Sequence, residues 1–335
     1  MKKYSFCLPL AIALISITLP CYCKAQDEFK YDSSYYTIYP DKLTVRTFLS
    51  QKYAHFDVPA FDGSGVRDLE YRSNAKMSMG IGATYHNLSL NLGYGFGFLN
   101  NNTQKGETKG LDVQLHLYYH NKWAIDVLGM TYKGYYLNHE SNVATSSPYY
   151  YRSDMKLNVL GAAAYRIANS QKFSYSAGMT QNQWQKKSAG SLLYGAQIYY
   201  ASVNGDSSFV PQQVSKGFPQ NGVNNVNFLR AGAGLGYAYT LVIKKHFFAT
   251  ASLIGNLDVN IATEKGTDDK ANKTSISPGT IYKAALGYNG NSWALSATWA
   301  GMASWFTTAS SPERYFMPTG NYRITLSKRI NLKKH

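Results

Sequence analysis

The chain has 335 residues, 44% of them hydrophobic, 15% aromatic and only 16% charged, with a formal net charge of +15 and a mean hydropathy of −0.31. This excludes a polytopic helical membrane protein, because each helical span needs about 20 consecutive apolar residues and only the N-terminus carries such a run. Disorder is excluded as well, since it accompanies low hydrophobicity and high net charge.

Residues 1–25 read as a secretory signal peptide. Lys2 and Lys3 supply the basic region, Phe6 to Leu19 the apolar region, and a small-residue pattern ends at Ala25, which predicts Sec export and cleavage there. The apolar run is short for an anchoring helix. Cys21 and Cys23 stand where a lipoprotein cysteine would, but Pro20 and Tyr22 precede them where that motif wants a small residue. All three cysteines, Cys7, Cys21 and Cys23, leave with the segment. The mature chain therefore has neither a disulfide nor a thiolate metal site, as suits passage through an oxidising periplasm. Residues 26–41 are expected to form a short periplasmic segment and 42–335 the body of the protein. A basic balance points to nucleic acid, anionic lipid or lipopolysaccharide phosphate. The basic residues are dispersed with no helical stripe, so nucleic acid is not an expected partner.

From residue 42 the signal is period two, the mark of a strand with two different faces. Leu88–Phe98 alternates large apolar with small or polar residues. Leu111, Val113, Leu115, Leu117 and Tyr119 alternate with Asp112, Gln114, His116 and Tyr118. Met155, Leu157, Val159, Ala163, Tyr165 and Ile167 face away from Lys156, Asn158 and Arg166; Leu229, Leu235, Tyr237 and Leu241 face away from Arg230, Gly232, Gly234 and Gly236. Segments of about 10 residues fit a tilted strand crossing a bilayer, where ordinary strands average about 5–6. Aromatics gather at segment ends (Tyr85, Phe96, Phe98, Tyr118, Tyr119, Trp123, Tyr132, Tyr135, Tyr136, Trp293, Trp299, Trp305), as an interfacial girdle requires. Tight turns at His86-Asn87, His120 to Lys122, Asn169 to Gln171, Lys244 to His246 and Asn289 to Asn291 alternate with long polar stretches at 59–68, 99–107, 138–152, 262–275 and 303–318. Short periplasmic turns and long outer loops are the asymmetry of bacterial barrels.

The expected fold is all-β: a transmembrane antiparallel up-and-down β-barrel, with the large apolar face toward lipid. Thirteen strand cores can be marked, 172–181 among them, but single-chain barrels have even counts. The suspect stretch is 181–225. A further strand within 204–225 would make fourteen, and the merging of two segments would make twelve.

Tyr39-Pro-Asp-Lys-Leu-Thr-Val-Arg46, Leu69-Glu-Tyr-Arg-Ser-Asn74, Lys109 to His116, Tyr132-Lys-Gly-Tyr-Tyr136 and Gln185 to Ser191 resemble a family of uncharacterised outer-membrane barrels, a domain of unknown function, from Bacteroidota-type Gram-negative bacteria. The resemblance spans nearly the whole mature chain and implies a fold and a cell outer membrane location. It implies no activity and no functional residue.

Two constellations carry chemistry. Asn138-His139-Glu140-Ser141-Asn142 resembles the His-x-Ser-Asn string of the outer-membrane phospholipase A and the lipid A deacylase. Residues two apart on a strand point the same way, so His139 could deprotonate Ser141. Ser153 or Asp154 stands where the third group of such a site would be sought. A bulge at Lys133-Gly134 would flip that face, and short matches are common in loops rich in Asn and Ser. The ordinary reading is a surface loop, with no catalytic residue. The second constellation is an inward set: Arg46, Glu70, Arg72, Asp112, His116, Asp126, Lys156, Arg166, Arg230, Asp258, Lys283 and Arg323. It either forms a paired network that plugs the lumen or lines a narrow, porin-like path for small solutes, and the modest barrel size favours the plug. No metal-ligand spacing or phosphate loop is present and no cofactor is implied. The functions left open are a structural barrel or narrow pore, a lipid acyl hydrolase, and a surface-binding protein acting through loops 138–152 and 204–225. The expected surroundings are outer-membrane lipid and lipopolysaccharide, with the barrel-assembly machinery during insertion.

Overall fold

In a computed structural model, which describes residues 30–86, 88–99, 104–138, 149–266 and 270–332, the alternating segments become antiparallel strands joined edge to edge. In chain order they are β1 (Tyr36–Thr37), β2 (Lys42–Ala54), β3 (Phe56–Val58), β4 (Leu69–Ser73), β5 (Ser78–Tyr85), β6 (Leu88–Gly95), β7 (Lys109–Tyr119), β8 (Trp123–Leu137), β9 (Tyr151–Ile167), β10 (Trp184–Gln185), β11 (Ala189–Asn204), β12 (Asn225–Ile243), β13 (Phe247–Lys265), β14 (Lys270–Asn289), β15 (Trp293–Thr307) and β16 (Arg314–Asn331). A five-residue helix, α1 (Tyr175–Met179), lies between β9 and β10. No helix among the described residues is long and apolar enough to cross a membrane, which leaves a β-barrel untouched.

β1 pairs with β10, and the other strands form one 14-stranded sheet. Within it β2 with β3, and β4 with β5, are halves of two bent strands. The wall therefore has twelve strands, and β16 closes it by pairing with both β15 and β2. The expected strand over 172–181 is instead α1 and its flanks. Its helix starts where the Ser174 side chain accepts the Ala177 N–H, a local bond that competes with an extended chain. Between β11 and β12, residues 205–224 hold a 3₁₀ turn over Gln212–Gly217 and no further strand. Removing the false segment gives the even count.

The tight turns fall at one end of the ring, here the turn end. His86, His120, Asn121, Lys244 and Lys245 take φ between +50° and +66°, the primed-turn geometry that matches strand twist. Asn169 to Gln171 does turn, with the Lys172 and Phe173 N–H groups on Asn169 O at 3.2 and 2.9 Å, but it does not join two wall strands directly; it opens a segment over 168–188 that folds back across the ring. At the loop end the ladder runs further than the polar composition predicted. β13–β14 pair out to Lys265↔Lys270 and β15–β16 out to Thr307↔Arg314, so much of the two polar stretches expected as long loops, 262–275 and 303–318, is strand.

Period two sets the faces. Leu90, Leu92, Leu111, Val113, Leu235, Leu253 and Leu257 are exposed on the outside, while Ser89, Arg230, Asn256 and Asp258 are buried within. Three expectations reverse. On β9, Leu157, Val159 and Tyr165 are buried and Leu160 is exposed, so Lys156 and Arg166 lie on the outer face. Leu69 and Tyr71 take the inner side of β4, which turns Glu70 and Arg72 outward. Tyr132 and Tyr135, expected in the girdle, are buried inside, as is Tyr118, which its alternation with Tyr119 already puts on the inner face. The cause is common to all three: the barrel fills part of its interior with its own apolar side chains, so "large and apolar" no longer means "outside".

Two irregularities matter. A bulge at Gly134 (φ +93°) shifts the β8–β9 register between Lys133 and Tyr135. The wall is also incomplete at one seam: β6 and β7 pair at Leu88↔Leu117 and Ser89↔His116 alone. Above that point β4 reaches across to pair with β8 through Tyr71↔Leu137, Arg72↔Tyr136 and Ser73↔Tyr135.

Candidate functional site

The lumen holds the chemistry, and its middle layer is ionic. His116 and Asp126 are direct register partners on β7 and β8, with His116 Nδ1 2.5 Å from Asp126 Oδ1. From β14, Lys283 Nζ donates to Asp126 Oδ2 at 2.6 Å and stands 5.3 Å over the Tyr175 ring of α1. Asp258 is fully buried on β13, where the Gln197 amide donates to both its oxygens at 3.0 and 2.9 Å and Arg230 lies 3.5 Å away. Gly279 makes room for that pair, since a Cβ there would sit 2.9 Å from Arg230 Nη2. Asp112 Oδ2 takes Lys52 at 3.4 Å, Gln114 at 3.3 Å and Tyr132 at 3.4 Å. Arg46 reaches Thr84 and Asn91, and Arg323 stacks 4.5 Å over Phe48. Enclosed charges need such partners, because an unpaired one costs several kcal/mol.

Of the residues singled out in the sequence, the structure places Arg46, Asp112, His116, Asp126, Arg230, Asp258, Lys283 and Arg323 on the inner face. Lys156 is exposed and Arg166 lies 5.4 Å over Trp123 outside. Glu70 and Arg72 join Asp57 and His55 in a cluster at the loop end, with Arg72 2.6 Å from Glu70 and 3.3 Å from Asp57. Sequence reasoning missed Lys52, Gln197 and Arg329. Lys52 shares the parity of Arg46, and Arg329 that of Arg323, so carrying each alternation further along its strand would have found them.

Arg329 holds the turn-end closure. Its guanidinium donates to the carbonyls of Gln181 and Gly290, to Gln183 O at 3.3 Å and to Asn289 Oδ1 at 2.7 Å. Around it the 168–188 segment is tied to the wall on many sides. Thr44 donates to Asn182 at 2.9 Å, Asn182 to His86 O at 2.8 Å, Gln183 to Asn121 at 2.8 Å, and the Tyr175 hydroxyl to Ser252 at 3.0 Å.

The loop end is closed by apolar packing. Phe228, Phe306, Tyr315, Phe56 and Phe209 form a continuous aromatic run with centroid spacings of 4.0, 5.3, 5.3 and 5.5 Å. The loop after β11 is pinned over it by Arg152, which donates to Asp154 at 2.8 and 2.7 Å and to the carbonyls of Ser207 and Ser208 at 2.9 and 2.6 Å. Asp154 also accepts the Asp206 N–H at 2.8 Å.

Between the two closures two adjoining cavities of about 60 and 80 Å³ have room for a few waters. Among the described residues no three His, Cys, Asp or Glu side chains gather as a metal site would require. His139 and Ser141 lie outside the described residues.

A family model described as "Domain of unknown function (DUF4421)" matches residues 30–324. The chain belongs to that family. Among solved structures, the DUF4421 chain is similar to the outer membrane protease OmpT from Escherichia coli, at 10% identity over 87% of this chain and 97% of that one, with a TM-score of 0.34. It is also similar to the CymD monoaromatic hydrocarbon channel (9% identity, 88% of this chain and 90% of that chain, TM-score 0.30). A third is the toluene transporter TodX of P. putida (7% identity, 89% and 92%, TM-score 0.28). These likenesses concern architecture alone. No curated protein matches the chain.

Proposed function

We propose that this DUF4421 protein is an integral outer-membrane barrel of a Bacteroidota-type Gram-negative bacterium, exported by its N-terminal signal and closed along its axis by its own chain. It acts as a membrane-embedded scaffold and not as a general diffusion pore. The observation that carries the reading is the double closure: Arg329 and the 168–188 segment at the turn end, the aromatic run under the β11–β12 loop at the other, with paired charges between. The apolar outer face supports a lipid surrounding, and the tight turns then lie in the periplasm. The partners in this reading are outer-membrane lipid and lipopolysaccharide, and the assembly machinery that inserts the barrel.

The test is fractionation followed by a swelling assay. The protein is expected in the outer-membrane fraction, and proteoliposomes containing it should swell in arabinose no faster than empty ones. Swelling at the rate of a known porin would refute the closed axis.

A further inference from the structure

Among the described residues, the interior is approached through the wall at one seam. Had the β6–β7 ladder continued from Leu88↔Leu117, Leu92 would face Val113 and Tyr94 would face Leu111. Instead a cavity of about 510 Å³ lies in the seam, within the usual range for small-molecule sites. It perforates the wall: Tyr94 and Leu111, both exposed on the outer face, line it together with Lys52 and Asp112 of the inner face. In hydrocarbon a row of unpaired peptide groups is not tolerated, so the seam needs a polar guest.

The floor says what kind. The Asp112 side chain is 5% exposed, and its three partners all meet Oδ2. Among the described residues Oδ1 has no hydrogen-bond partner and is buried, an acceptor that calls for a donor. Lys109 lines the same cavity from the rim, exposed; it feels the charge of Glu107 but makes no hydrogen bond or close ion pair among the described residues, while the neighbouring Lys76 holds Glu107 at 2.6 Å. An unmet carboxylate oxygen inside and a loosely held ammonium at the mouth fit a head group carrying both signs. The flanking Leu90, Leu92 and Val113, all exposed, fit an apolar tail lying along the outer wall.

We infer that the β6–β7 window is a lateral binding site for a single-tailed zwitterionic lipid. Its ammonium bonds Asp112 Oδ1, its phosphate meets Lys109, and its tail stays in the membrane. This inference rests on the barrel being embedded in a membrane, and the fractionation above tests that separately.

The experiment is native mass spectrometry of the full mature protein in neutral detergent, titrated with palmitoyl lysophosphatidylethanolamine. One saturable adduct is expected. Asp112→Asn, and Lys109→Gln at an exposed position that does not threaten folding, should each raise Kd by about tenfold, the worth of one charge-assisted hydrogen bond. The water-soluble head group, glycerophosphoethanolamine, should give no adduct at the same concentrations. Adducts that accumulate without saturating, an unchanged Kd in Lys109→Gln, or equal binding of the head group alone would overturn the proposal. The mature chain has no cysteine of its own, so Leu92→Cys with Val113→Cys gives a second measurement. An open window resists oxidation to a disulfide, whereas rapid, complete cross-linking would mean a closed ladder and no site.

Discussion

Replacing Asp126 with leucine strands Lys283, a lysine whose side chain is 9% exposed and whose carboxylate partner lies 2.6 Å away. Removing one member of a buried pair costs about 3–5 kcal/mol. Asp126 retains 19% exposure, so the lower end, about 3 kcal/mol, is expected. Lys283→Met should cost less, because Asp126 keeps His116. The double variant should recover most of the loss, giving a coupling of at least about 2 kcal/mol in the mutant cycle. The assay is urea unfolding of the barrel in lipid vesicles, followed by tryptophan fluorescence and by heat-modifiable migration on gels. Raising salt to 1 M shortens the screening length to about 3 Å, yet an enclosed pair should hold its coupling. Additive effects below about 1 kcal/mol each that shrink further in salt are the signature of a solvated surface pair, and they would refute a closed lumen.

Arg329→Met removes the shared donor of the turn-end closure, including its 2.7 Å bond to Asn289, and should cost about 2–3 kcal/mol; trypsin nicking at Lys186 or Lys187 of the folded protein should rise with it. Gly134→Val forces a side chain onto φ +93°, with its Cβ 2.4 Å from Glu107 O. It should destabilise by about 2 kcal/mol or more, and unchanged urea unfolding would show that the bulge is absent. Arg152→Ala removes the two hydrogen bonds to Asp154 and the two to the Ser207 and Ser208 carbonyls that dock the β11–β12 loop. Hydrogen exchange at 205–210, compared at one pH, should speed up in that variant, and an unchanged rate would show that the loop is held by other contacts.

The wall was legible because period two is a direct image of a two-faced strand: the faces of β7 and β12 stand as the alternation of Leu111 to Tyr119 and Leu229 to Leu241 places them. What failed was the assumption that the inside is polar. Leu157, Val159 and Tyr165 look like a lipid face because sequence cannot distinguish lipid from a barrel's own aromatic filling. The 172–181 segment misled for a related reason. Phe173, Tyr175, Ala177 and Met179 alternate as a strand would, while the Ser174 cap, a local hydrogen bond, chose a helix. The charges of the lumen could be listed from parity, but their pairing could not, since Asp126 and Lys283 are far apart in the chain and meet only across the closed ring. The open seam left no mark at all, because Leu88–Phe98 alternates as regularly as any paired strand.

Single-channel recording of the wild-type protein in a planar bilayer tests the axial closure most directly. The structure predicts a silent wild type, and silence also from a variant lacking residues 172–183, because the aromatic run from Phe228 to Phe209 still closes the loop end. Reproducible open steps from the wild type would contradict it.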